Sequence, residues 1–253
     1  GQESAGIASW DGEKLYLEVG MGLVADVFSE ERLEVLPGKV AIGHNRYSTC
    51  GSSLLKNAQP LVLDYVGGSV AVAHNGNLVN AHGLRKELEG ARAVFRSTSD
   101  SEIIVQLIAL SNAPSIVGRI REALERVSGA YSLLFLTDGA LIAVRDPHAF
   151  RPLCLASLGD SLVVSSETCA LDLIGGEYTR EIGPGELLIA GKNGVQSVQL
   201  FPPGRLAHCI FEFIYFARPD SRIFGRSVNM VRKELRRQLA REHAIDADVV
   251  VPV

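Results

Sequence analysis

The chain has 253 residues, 47% of them hydrophobic, with a net charge of −4 and a pI near 5.9, enough to bury a sizeable core in one large domain or in one domain and part of another. The slight acidity speaks against a nucleic-acid or anionic-membrane surface, and the basic run within about the last fifty residues reads as a solvated helix face. Cys50, Cys154, Cys169 and Cys209 stand singly, so no zinc site or disulfide framework is expected and a reducing compartment, cytoplasm or plastid, fits.

The opening residues Gly1-Gln2-Glu3-Ser4 carry no initiator Met and no targeting pattern, and the chain reads as part of something longer. No apolar run approaches the length of a membrane span. Strands are expected at 14–19, 39–44 and 69–74. A helix follows with Ser99 as N-cap and Glu102 as its capping-box partner, ahead of Ile103, Ile104, Val105, Leu107, Ile108 and Leu110. A second, amphipathic helix spans about 115–127. Thr137-Asp138-Gly139 and Asn193-Gly194 are turns that tolerate positive φ, so strands at 130–136 and 140–145, and at 186–190 and 195–200, form antiparallel hairpins. A further strand lies at 161–165. Phe201-Pro202-Pro203-Gly204 breaks the pattern. After it, 209–216 reads as aromatic and extended, 228–243 as an Arg-rich helix, and Val249 to Val253 as a buried parallel strand within which the chain stops. Stacked antiparallel sheets covered by helices give an α+β fold. The expected division is 1–201, a linker at 202–225, and the start of another domain at 226–253, with the chain truncated at both ends.

Three motifs carry chemistry. His44-Asn45-Arg46-Tyr47-Ser48-Thr49 holds a cation, His74-Asn75-Gly76-Asn77 a small polar turn, and Ser99-Asp100-Ser101-Glu102 an anion. A free amino acid bound by both ends needs a cation for its carboxylate, which the fork of Arg46 suits, and an anion such as Asp100 for its ammonium. An Arg and an Asp that pair with each other, or an Asp serving a helix dipole, would read the same way. Asn75-Gly76 is either an ordinary turn or an oxyanion hole made of a carboxamide and a backbone N–H. His44 and His74 read as hydrogen-bonded structural residues, and the six histidines show no metal-ligand spacing.

Taken together, these motifs resemble the glutaminase domain of the amidophosphoribosyltransferase family. Gly1-Gln2-Glu3-Ser4-Ala5-Gly6-Ile7-Ala8, Val144-Arg145-Asp146-Pro147, Arg151-Pro152-Leu153 and the stretch from Phe211 to Ser221 extend the resemblance over nearly the whole chain. It implies an N-terminal nucleophile hydrolase fold, an αββα sandwich, here lacking its first strand and followed by the first helix and strand of a type I phosphoribosyltransferase α/β domain. It also implies that Arg46 binds the glutamine carboxylate, Asp100 its ammonium, and Asn75 with Gly76 the oxyanion. Thr49 would be a hydrogen-bonding neighbour and Tyr47 would couple loop closure to the second site. The nucleophile of the family, a cysteine at the mature N-terminus, is expected upstream of Gly1, and an internal cysteine such as Cys50 lacks the α-amino group that serves as base. Mg²⁺ belongs to the phosphoribosyltransferase domain, where phosphoribosyl pyrophosphate binds. Cys209 stands where some members have their first ligand to a 4Fe–4S cluster, and a buried apolar cysteine would fit equally well. A homo-oligomer is expected, with no nucleic-acid or membrane partner. Ala149 departs from the glycine usual in the family.

Other glutamine amidotransferases of the fold, such as glucosamine-6-phosphate synthase, asparagine synthetase or glutamate synthase, diverge after the glutaminase domain, where the stretch from Phe211 to Ser221 lies. A non-catalytic glutamine-binding regulatory domain is the alternative from another class.

Overall fold

The computed structural model describes residues 2–47, 52–249 and 251. In chain order, β1 (Ser4–Trp10), β2 (Leu15–Met21), α1 (Val24–Val27) and α2 (Glu30–Glu34) precede β3 (Val40–Arg46), a 3-10 turn (Leu55–Asn57), β4 (Leu61–Tyr65) and β5 (Gly68–Leu78). Three helices follow, α3 (Ala81–Gly90), α4 (Ser101–Leu110) and α5 (Ile116–Arg126), and then β6 (Gly129–Thr137) and β7 (Ala140–Arg145). Next come β8 (Cys154–Leu158), β9 (Ser161–Ser165), α6 (Thr168–Ile174), β10 (Glu177–Glu181), β11 (Glu186–Gly191) and β12 (Gly194–Gln199). A π-helical turn (Glu212–Phe216), β13 (Arg222–Ile223), β14 (Arg226–Ser227) and α7 (Val228–Glu242) complete the described chain.

These elements form two compact units, Gly1–Arg151 with Ile182–Ala207, and Pro152–Glu181 with His208–Val253. The strands of residues 152–181 make a sheet of their own, β10-β8-β9, in the second unit.

In the first unit a three-stranded sheet, β2-β1-β3, packs against a six-stranded sheet, β12-β11-β7-β6-β5-β4. Strand alternation decides what fills each layer. Val70, Val72, Leu133, Phe135, Ile142 and Val144 point to α3–α5 and bury with Ile103, Ile104, Ile108, Ile120 and Leu124. The opposite face carries small residues such as Ala71 and Ala73, both buried, and takes the smaller sheet. The short α1 covers that sheet from outside, with Val27 against Gly20. The layering is the αββα sandwich, and both expected hairpins form: Asp138 and Gly139 have positive φ between β6 and β7, and β11 returns to β12 with Gly191 opposite Gly194.

Several local expectations are corrected. Asn75 and Gly76 do not make a turn: β5 continues through them to Leu78, paired with β6 as far as Gly129. The capping box at Ser99 does not form, since α4 has Asp100 at its N-cap without a side-chain cap bond. The Glu102 carboxylate instead accepts from the N–H groups of Arg96 and Ser97 and from the Ser97 hydroxyl, which serves the preceding loop. Residues 212–216, expected to be extended, form the π-helical turn, whose Phe213 packs with Ala217, Ile223, Val228 and Val231. Asp248, Val249 and Val251 do not form a strand, and both valines are exposed; a parallel strand needs neighbours on both sides, and no described strand pairs with this stretch.

Candidate active site

The three motifs meet in the first unit. His44 and Arg46 lie two apart on β3 and so face the same way. The His44 Nε2–H donates to the His74 carbonyl at 3.1 Å, so this face looks onto β5. Arg46 is 4% exposed, and its Nη1 donates to the Ser52 carbonyl at 3.2 Å and to Glu3 Oε2 at 3.4 Å. Tyr47, next along, is exposed. Thr49 and Cys50 lie outside the described residues.

The course of β5 explains the second motif. β4 pairs with β5 only as far as Leu61 opposite Val72, so beyond Val72 the N–H groups on that edge need other partners. The His74 N–H finds Gln59 Oε1 at 2.8 Å, and the Leu78 N–H finds Asp100 Oδ2 at 2.8 Å. Alternation sends the Gly76 N–H to the same edge, between these two anchored donors. Gly76 is glycine for want of space: a Cβ there would lie 2.0 Å from the Ala130 carbonyl oxygen and 2.6 Å from His74 Nε2. Asn75 points to the other face, toward the smaller sheet, and its carboxamide makes no hydrogen bond among the described residues. Asp100, 6% exposed, has Oδ1 3.9 Å from His74 Nδ1, which is proximity without a hydrogen bond.

Beneath the site runs a buried polar network. Gln59 Nε2 donates to Ser101 Oγ at 3.2 Å, and Ser101 Oγ lies 3.0 Å from His74 Nδ1. His74 Nε2 faces the Ala130 carbonyl at 3.4 Å, so the partners assign the proton to Nε2 and leave Nδ1 to accept from Ser101. Burial, opposed by the Asp100 charge, lowers the His74 pKa, and burial lowers that of His44 to about 4. Both rings are neutral at neutral pH and His44 Nδ1 lacks a described partner, which fits the structural reading of both. Asn57, wholly buried, donates to the Ser52 carbonyl at 2.6 Å and to Thr98 Oγ1 at 2.9 Å, and accepts from the Thr98 N–H at 2.9 Å.

A model of the glutamine amidotransferase domain matches residues 44–173. The chain belongs to the glutamine amidotransferase domain family. The chain is 51% identical to amidophosphoribosyltransferase 2, chloroplastic, of Arabidopsis thaliana, over 100% of the chain and 46% of that protein. It is 44% identical to the amidophosphoribosyltransferase of Bacillus subtilis, over 100% of the chain and 53% of that protein. The solved glutamine phosphoribosylpyrophosphate amidotransferase of B. subtilis, complexed with ADP and GMP, superposes with a TM-score of 0.92 at 43% identity, covering 98% of this chain and 54% of that one. A glutamine aminotransferase class-II domain protein from Silicibacter pomeroyi, at 17% identity and a TM-score of 0.52, shares the fold alone. The chain spans about half the length of the curated relatives it matches.

In this amidotransferase domain, sequence reasoning missed Glu3, Asn57 and Gln59. Asn57-Ala58-Gln59-Pro60 reads as a loop, and its one signal was a pair of carboxamides at alternate positions before a proline. Cys209 belongs to the second unit, and no described group of three or more His, Cys, Asp or Glu is arranged to hold a metal ion. A single cysteine does not make a cluster site. No described helix is long and apolar enough to cross a membrane.

Proposed function

We propose that this domain hydrolyses glutamine within an amidophosphoribosyltransferase, supplying ammonia that converts phosphoribosyl pyrophosphate to 5-phosphoribosylamine in the first committed step of purine synthesis. The observation that carries the reading is the Gly76 N–H, held on a free strand edge between two anchored donors, with Asp100 making one of the anchors. Arg46 meets the substrate carboxylate, Asp100 the ammonium, and Asn75 with the Gly76 N–H the oxyanion. Tyr47 is assigned to loop closure, and Thr49 to hydrogen bonding with the substrate. A cysteine thiolate at the mature N-terminus attacks the carboxamide carbon; the nitrogen leaves as ammonia with a proton relayed by the α-amino group, and water cleaves the thioester to glutamate. Neither buried thiol of the second unit suits that role: Cys154 donates to the Ser165 carbonyl, and burial raises the pKa of Cys169. The phosphoribosyltransferase step needs Mg²⁺ on the pyrophosphate and belongs to the portion of the relatives beyond this chain. Cytoplasm or plastid suits such an enzyme.

The test is Asp100→Ala in the full-length enzyme. Glutamine-dependent activity is expected to fall by about a hundredfold or more, while ammonia-dependent activity at saturating ammonium stays within about twofold. Equal loss of both would make Asp100 a structural residue.

A further inference from the structure

We infer that Asn57 and Gln59 are positioning residues that hold the carboxylate-, ammonium- and oxyanion-binding groups at a fixed mutual spacing; the inference rests on the glutaminase reading of this site. Both side chains are buried, at 0% and 6% exposure, and each bridges two elements that do not otherwise follow from the sheet. Asn57 connects the Ser52 carbonyl, which also accepts from Arg46, to Thr98, two residues before Asp100. Gln59 connects the His74 N–H, two residues before Gly76, to Ser101, the residue after Asp100.

The two carboxamides suit this work because each has a donor and an acceptor on one rigid plane. Gln59 Oε1 stands in for the carbonyl that β4 would have offered had it continued, and Pro60, with no N–H, marks where that strand's pairing begins. Gln59 and Asp100 therefore hold the β5 edge on either side of the Gly76 N–H. Asn57 acts instead on the Arg46 side, by fixing the Ser52 carbonyl that Arg46 meets.

That division predicts different kinetic signatures. The Arg46 contact to a carboxylate is the same in the ground and transition states, so loosening it raises KM; the oxyanion contact forms only in the transition state, so loosening it lowers kcat. In the full-length enzyme, with glutamate release as the assay, Asn57→Ala is expected to raise KM for glutamine about tenfold with kcat within about twofold. Gln59→Ala is expected to lower kcat about tenfold with KM within about twofold, and Gln59→Glu, which keeps the acceptor for the His74 N–H, to recover kcat to within about threefold of the parent. Ammonia-dependent activity should be unchanged throughout. Parallel changes in kcat and KM, loss of ammonia-dependent activity in step, failure of Gln59→Glu to recover, or no change at all would each overturn the inference. If the alanine variants do not accumulate as folded protein, Asn57→Asp decides: it keeps the acceptor for the Thr98 N–H but loses the donor to Ser52, and an unchanged KM would overturn the inference. A parent enzyme that releases no glutamate would instead overturn the glutaminase reading, and loss of that release in Asp100→Ala is the control that separates the two.

Discussion

His44 shows how one side chain ties the two sheets together and makes stability depend on pH. Its Nε2–H donates across the sandwich to the His74 carbonyl, and burial lowers its pKa from 6.5 to about 4. Between those values the unfolded chain binds the proton and the folded chain does not. The contribution is therefore fully present above pH 6.5, falls as pH drops through the window, and is gone below about 4. His74 is shifted in the same direction by burial. Over the window the His44 contribution is expected to reach about 2–3 kcal/mol. Urea unfolding followed from pH 7.5 down to pH 4 should show the decline, with a shallower slope in His44→Gln; an unaltered slope would exonerate His44. Ala149 carries a different local cost. Its φ is 52°, a left-handed conformation that glycine adopts freely and alanine only at a cost.

At the scale of elements, β5 is the part on which the site depends. It is paired with β6 along the whole stretch that carries Asn75 and Gly76, while β4 stops at Leu61 and frees the edge that the site uses. Ala130 and His74 leave no room for a Cβ at residue 76, so Gly76→Ala must push strands apart or turn the histidine. We expect it to cost about 2–4 kcal/mol in stability and to reduce glutamine-dependent turnover by at least about a hundredfold. Thermal melts and glutamate-release kinetics measure the two effects, and a variant with parental turnover would remove Gly76 from the site. Of the helices, α4, α5 and α7 were legible in the sequence because apolar residues recur on them at helical spacing, as on α5, whereas α1, α2, α3 and α6 were not read. Their ends were less so: Ser99 and Glu102 have the right identities for a capping box, but tertiary partners at Arg96 and Ser97 take the carboxylate. The π-helical turn escaped for a related reason, since a run of large aromatics suits a strand as well as a helix.

For the molecule as a whole, Arg145 is a side chain on which the first unit's integrity turns. It is 1% exposed, and its guanidinium donates to the carbonyls of Arg151 and Ile182, the last residue of one segment of that unit and the first of the other. Arg145→Met is expected to destabilise the protein by about 3–5 kcal/mol, because buried carbonyls lose their donor. Arg145→Lys should recover little of that, since an ammonium cannot span both carbonyls as the fork does. Urea denaturation of the two variants checks this, and parental stability in either would refute it. By itself the sequence determined the layered α+β class and both hairpins, and singled out Arg46, Asn75, Gly76 and Asp100 as candidates, because periodicity, turn chemistry and motif order are local properties. Only the tertiary structure decided that Asn75 and Gly76 lie within a strand, that β8, β9 and β10 make a sheet of their own, and which groups the buried carboxamides of Asn57 and Gln59 meet. Those outcomes depend on where neighbouring strands end and which buried donors are left without partners, and no run of adjacent residues encodes that.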